Sequence, residues 1–174
     1  CFWMKEYYPA QYEEMKKFIE SGRWHISGAS WDATDTLVPS IESAIRNIML
    51  GQNYYRKEFG VESTDIFLPD CFGFGWTLPA ITSHCGLIGF SSQKLQWRNK
   101  PFYGNDKYPF TIGLWQGIDG STIMMTHGYD YNQRFEDGDL SENKDLLELT
   151  GHSPLHMVYR YYGTGDIGGS PTLE

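Results

Sequence analysis

Apolar positions fall into a helical rhythm early in the chain and into short unbroken runs later, so the sequence predicts alternating helices and strands. Tyr12, Met15, Phe18 and Ile19 share one helical face before Gly22, and Trp24-His25-Ile26-Ser27-Gly28 then predicts a short strand. Pro39-Ser40 starts a second helix. Ile41, Ala44, Ile45, Ile48 and Met49 recur at helical spacing, the Ser40 side chain suits the amino-terminal cap, and Gly60 ends the element. The run Asp65-Ile66-Phe67-Leu68 predicts a buried strand that Pro69 terminates. A short helix from Leu78 to Cys85 is stopped by Gly86, and the strand Leu87 to Ser91 follows.

Two strands joined through a helix imply a parallel sheet. Between Phe110 and Thr126 the pattern changes to two extended segments around Asp119-Gly120, a dipeptide suited to a tight hairpin. A helix is predicted within 141–150, a weak apolar stretch including Met157 follows it, and Val158 to Tyr162 predicts a last strand. Polar residues then fall at equivalent places. Trp31 and Asp32 follow the first strand, Asp70 the second, Gln93 and Lys94 the third, Tyr129 and Asp130 the hairpin, and Asp166 the last. In parallel α/β folds the carboxyl ends of strands converge on one rim where substrates bind. This ranks Asp70 and Asp166 above acidic residues on helices such as Glu13 and Glu14.

The segment Leu68-Pro69-Asp70-Cys71-Phe72-Gly73-Phe74-Gly75 carries the most information, because it sets a carboxylate at the end of an apolar strand and follows it with a glycine-rich turn. Gly73 and Gly75 permit backbone angles closed to other residues and let a substrate or neighbouring chain come close.

That segment resembles the Leu-Pro-Asp-x-Phe-Gly strand end of glycoside hydrolase family 38, the α-mannosidases. The resemblance extends along nearly the whole chain: Trp3 to Pro9, Gly22-Arg23-Trp24, Tyr55 to Gly60, Ser92-Gln93-Lys94-Leu95-Gln96-Trp97, and Trp115 to Ser121. It implies an α/β fold, part of a parallel (β/α)7-type barrel with an inserted β-hairpin. A (β/α) barrel typically takes about 250 residues, so residues 1–174 are expected to be a partial catalytic domain, incomplete at both ends. Its partners would then include the remainder of its own polypeptide.

By the same resemblance Asp70 is the nucleophile of a retaining hydrolase acting on terminal α-linked mannose, and one ligand of a divalent metal, usually zinc. Retaining hydrolysis needs a second carboxyl group about 5 to 5.5 Å from the first. Asp166, in the glycine-rich run Tyr162 to Gly169, takes that acid/base role; read by itself, it could equally stabilise its turn by accepting backbone hydrogen bonds. Lys94 matches a basic position beside the nucleophile, where its charge would orient the carboxylate. Tyr129 and Asp130 match a pair that contacts sugar hydroxyls, and Trp31 with Asp32 lies where a tryptophan flanks the first sugar site. The family's other metal ligands, a His-x-Asp pair and a downstream histidine, have no counterpart in this sequence, so the remaining ligands are expected outside it and metal binding by this chain alone is expected to be weak or absent.

Composition narrows the partners. The formal charge of -8 and the lack of a basic stripe argue against nucleic acid, whose binding depends on clustered cations that release counterions. There is no apolar run of about 18 residues to span a bilayer and no signal peptide at the start, and localisation stays open. Cys1, Cys71 and Cys85 are odd in number without a C-x-x-C spacing, which supports neither a disulfide framework nor a thiolate zinc site. A lone histidine is more often structural than ligating, and His25, His84, His127, His152 and His156 stand in that position. Aromatic residues reach 16%, enough for sugar stacking beyond core packing, although any single tryptophan favours the core. Two alternatives remain: a non-catalytic carbohydrate-binding module, and another metal-dependent carbohydrate hydrolase or deacetylase on a similar barrel. A deacetylase would activate a metal-bound water instead of forming a glycosyl intermediate.

Overall fold

In the computed structural model, which describes residues 1–94, 111–127 and 139–161, the chain opens with two helices in succession, α1 (Phe2–Tyr7) and α2 (Pro9–Glu20). Pro9 occupies the first turn of α2, where its missing N–H costs nothing. The apolar stripe of α2 buries Tyr12, Met15 and Ile19 against Ile26, with Tyr55 and Phe59 of the next helix closing the cluster. The Tyr12 hydroxyl donates to Glu58 at 2.9 Å and Lys5 meets the same carboxylate at 2.6 Å, which fastens α1 and α2 to that helix.

Helix α3 (Ile41–Phe59) begins and ends where its sequence requires. Ser40 accepts the Ser43 N–H at 3.2 Å, and Gly60 closes the helix with φ 68, in the left-handed region that favours glycine. Its buried face is narrower than the apolar rhythm suggests. Ile48 is buried and Ala44 and Ile45 pack on the core, but Ile41 and Met49 are more than half exposed. At Gly51 the bare backbone lets residues 29–31 run directly across the helix; a Cβ there would lie 2.0 Å from the Ala29 carbonyl oxygen.

The strands β1 (Asp65–Phe67), β2 (Gly89–Ser92), β3 (Ile112–Gln116) and β4 (Thr122–His127) form one sheet in the order β1-β2-β4-β3. Helix α4 (Leu78–His84) carries the chain from β1 to β2, and the pairs β1–β2 and β2–β4 are parallel. Strands β3 and β4 are antiparallel around a turn in which Gly120 has φ 85. Because β4 also pairs with β2, this antiparallel pair belongs to the main sheet. The core lies between the sheet and helices α3 and α4, built from Ile48, Ile66, Leu68, Leu78, Ile81, Leu87, Phe90 and Ile123 with Ala29. A 3-10 turn (Leu140–Glu142) precedes α5 (Lys144–His152), which is capped by Asn143 through the Leu146 N–H.

Two expectations are corrected. Residues 24–28 do not form a strand: Gly28 turns with φ 79, Ala29 N–H donates to the Asp65 carbonyl at 2.8 Å, and the Ser27 hydroxyl and Gly28 N–H are taken by the Asp65 carboxylate at 2.6 and 3.1 Å. A side chain thereby substitutes for the ladder. Residues 158–161 also lie outside any strand, with Tyr159 N–H donating to the Thr111 hydroxyl at 2.9 Å; Tyr162 lies outside the described residues. The described strands make a four-stranded, mostly parallel sheet in an α/β arrangement. Among the described residues no helix is long and apolar enough to cross a membrane.

Candidate active site

Parallel pairing brings the carboxyl ends of β1, β2 and β4 to one edge, with Phe67 opposite Ser91 and Ser92 opposite His127. Asp70 stands three residues beyond β1 and Lys94 two beyond β2. Their side chains meet, Lys94 Nζ lying 2.6 Å from Asp70 Oδ1. The two ends of this pair differ in exposure: the lysine side chain is 7% exposed and the aspartate 60%. The Phe72 ring covers the ammonium, its centroid 4.7 Å from Nζ. The arrangement is a sheltered cation holding an accessible carboxylate, suited to presenting a fixed negative oxygen to a ligand above the sheet edge.

The turn that bears Asp70 leaves the sheet at Leu68, whose N–H still donates to the Ser91 carbonyl at 3.0 Å. Pro69 has no N–H to continue the ladder. Beyond it, side chains from residues 34–37 fasten the turn. The Thr36 hydroxyl donates to the Gly73 carbonyl at 2.7 Å, the Cys71 thiol donates to the Thr34 carbonyl at 2.9 Å, and Leu37 covers Gly73. Burial first, then the nearby Asp35 and Asp70 carboxylates, push the Cys71 thiol up and keep it a donor. Leu37 packs closely on Gly73, where a Cβ would meet its terminal methyl at 2.6 Å and the side chain would have to turn aside; neither Gly73 nor Gly75 is among the glycines with positive φ, so the special backbone angles expected of them are not used. The neighbour that approaches this turn is therefore the chain's own loop.

Of the other predicted residues, Trp31 and Asp32 are held on α3. The Trp31 N–H donates to the Asn47 carbonyl at 3.0 Å, and its half-exposed ring meets Tyr54 edge-on at 5.4 Å and Phe2 at 6.4 Å. Asp32 is exposed; its backbone exchanges two hydrogen bonds with the Asn47 amide, and its carboxylate accepts the Ala33 N–H at 2.9 Å. Tyr129, Asp130 and Asp166 lie outside the described residues. The predicted residues seen in direct contact are Asp70 and Lys94.

The apolar rhythm pointed to none of Thr34, Thr36 and Leu37. The only local signal is Asp35 before Pro39-Ser40, where the carboxylate accepts the Leu37 and Val38 N–H groups at 2.7 and 3.2 Å and sets the loop.

A divalent metal would find one suitable oxygen donor in Asp70, whose Oδ1 already accepts from Lys94. Among the described residues no three His, Cys, Asp or Glu side chains come together to hold an ion, and His127, buried at the end of β4, joins no such group. These residues do not by themselves fit a metal centre.

Comparison with known proteins adds an independent line. A family model described as "Glycosyl hydrolases family 38 N-terminal domain" matches residues 1–173. Alpha-mannosidase G of Dictyostelium discoideum is 38% identical over 178 residues, covering 98% of this chain and 15% of that protein. The chain thus spans only a small part of the length of that relative. Among solved structures, a protein in the glycosyl hydrolase family 38 from Enterococcus faecalis aligns at a TM-score of 0.63 and 18% identity, over 93% of this chain and 17% of that one. A 4-alpha-glucanotransferase from Thermococcus litoralis aligns at 0.67 and 14% identity, over 92% of this chain and 24% of that one. At these identities the structural likenesses speak for the fold alone.

Proposed function

The chain belongs to glycosyl hydrolase family 38, within its N-terminal domain, and from that premise we propose that it forms part of the catalytic domain of an α-mannosidase. The substrate class is a glycan or oligosaccharide ending in α-linked mannose. Its four-stranded sheet would be one sector of a (β/α)7-type barrel completed by the rest of the polypeptide.

In this reading Asp70 Oδ2, the carboxylate oxygen opposite the one bonded to Lys94, attacks the anomeric carbon as the bond to the leaving oxygen breaks. Asp166 gives its proton to that oxygen. A water then attacks the same carbon, Asp166 takes a proton from it, the ester to Asp70 breaks, and mannose leaves with its anomeric configuration retained. Lys94 keeps the nucleophile oriented through the 2.6 Å contact, and Tyr129, Asp130, Trp31 and Asp32 are assigned to sugar contacts. A divalent ion such as zinc, when bound, would polarise sugar hydroxyls with Asp70 as one ligand and the others outside the described residues.

The observation that carries the reading is the Asp70–Lys94 pair: an accessible carboxylate, held by a sheltered cation, at the edge where parallel strands end. It is tested by Asp70→Asn in the full-length protein. Turnover of an aryl α-mannoside should fall at least about a thousandfold, as expected when a covalent nucleophile is removed, and a 2-fluoromannosyl fluoride should label Asp70 in the parent enzyme. Near-normal turnover by the variant would overturn the assignment.

A further inference from the structure

The sheet holds the Asp70 turn only as far as Leu68, so the position of the carboxylate depends on what fastens residues 69–75. On the side of Lys94 that is the ion pair. The other fastening is the two bonds to residues 34–37, Thr36 hydroxyl to Gly73 carbonyl and Cys71 thiol to Thr34 carbonyl. They anchor the turn one and three residues after Asp70. The loop that makes them is itself rigid, since Asp35 accepts two of its N–H groups. It is not backed by solid packing: a cavity of about 40 Å³ lies behind it, bordered by Thr34, Thr36, Ile48, Leu68 and Leu78. The distance between loop and turn is set by those hydrogen bonds together with Leu37 packed on Gly73.

We propose that residues 34–37 are a strap that fixes the attacking position of Asp70, with Thr36 as its positioning residue. The inference rests on Asp70 being the nucleophile. A carboxylate displaced by about 1 Å from its line of attack can lose on the order of a hundredfold in rate. Losing one of the two bonds leaves the turn partly held. The expected loss is therefore smaller, about tenfold, and it should fall on the step in which Asp70 attacks.

The test uses the full-length enzyme and two substitutions. Thr36→Val keeps the shape and removes the donor; Thr36→Ser keeps the donor. Thr36→Val should lower kcat and the rate of labelling by the 2-fluoromannosyl fluoride about tenfold, with KM for an aryl α-mannoside changed less than about threefold. Thr36→Ser should restore both rates to within about threefold of the parent. Parent-like rate constants per folded molecule in Thr36→Val would assign Thr36 to stability alone and overturn the strap; so would a serine variant as slow as the valine one. Should the valine variant fail to fold, Cys71→Ala releases the strap from its other bond and must show the same selective loss of labelling. Asp70→Asn separates the two levels: an active Asp70→Asn enzyme removes the nucleophile and the strap with it, whereas an inactive one beside an unimpaired Thr36→Val removes the strap only.

Discussion

Replacing Gly51 by alanine should destabilise this domain even though alanine is the better helix former. Gly51 lies within α3, and a Cβ built on it would stand 2.0 Å from the Ala29 carbonyl oxygen and 2.8 Å from both the Ser30 carbonyl carbon and the Trp31 nitrogen. All three are backbone atoms, so no side chain can swing aside. To regain ordinary contact at 3.4 Å the crossing segment must retreat by about 1.4 Å. That movement stretches beyond bonding distance the Trp31 N–H to Asn47 carbonyl bond at 3.0 Å and the two Asp32–Asn47 bonds at 3.2 and 2.9 Å. Overpacking costs about 1 to 3 kcal/mol, lost hydrogen bonds add about 1 kcal/mol each when exposed groups turn to water, and the helix gains back about 1 kcal/mol from alanine. The net expectation is a loss of about 3 to 5 kcal/mol. Gly151 in α5 supplies the control, because a Cβ there meets nothing within 4 Å; Gly151→Ala should stabilise by up to about 0.5 to 1 kcal/mol. Pulse proteolysis across a urea series, following cleavage of this domain, reads both. A Gly51→Ala variant as stable as the parent would refute the crossing geometry of residues 29–31.

Two further outcomes test the surrounding frame. Ser40→Ala removes the acceptor for the Ser43 N–H and should cost about 1 kcal/mol by the same proteolysis measurement, with Ser40→Asp close to the parent. The hydrogen bonds from Lys5 and then Tyr12 hold the Glu58 carboxyl below the usual range, so its contribution is complete above the ordinary glutamate pKa and is lost as pH falls through the lowered folded value. The difference in urea midpoint between the parent and Glu58→Gln should accordingly be constant near neutrality and shrink below about pH 4.5, the ordinary range for glutamate; a difference that grows on acidification would contradict the network.

The parts of the fold legible in the sequence are those whose causes are local. The cap at Ser40, the left-handed residue at Gly60 and the stop after Cys85 depend on neighbours within a few positions, and each is where periodicity and turn chemistry put it. What escaped depends on distant residues. The strand expected at 24–28 failed because Asp65, nearly forty positions away, offers a carboxylate in place of a ladder. The crossing of residues 29–31 over α3 at Gly51, and the packing of Thr36 and Leu37 on the glycines after Asp70, bring together positions that no local pattern links. The site divides in the same way. Strand ends mark Asp70 and Lys94 as neighbours on one edge, whereas the loop that fastens the turn between them has no periodic signature.

Stability alone gives a poor reason for the Asp70–Lys94 pair. Sheltering an ammonium from water is expensive, and the return from a carboxylate that is itself 60% exposed is reduced by the solvent around it. An apolar side chain in place of Lys94, beside Phe72, would satisfy the same space at lower cost. A leucine at Asp70 would remove the need for the cation. The pair persists at the point where three parallel strands end, on a turn that the sheet has released and a separate loop holds. Costly charge kept at an accessible edge, with its geometry fixed in two ways, is the pattern expected where a negative oxygen must be delivered to a bound ligand. The same features predict that substitutions at the strap and at the pair should alter rate more than fold, while those at Gly51 should do the reverse.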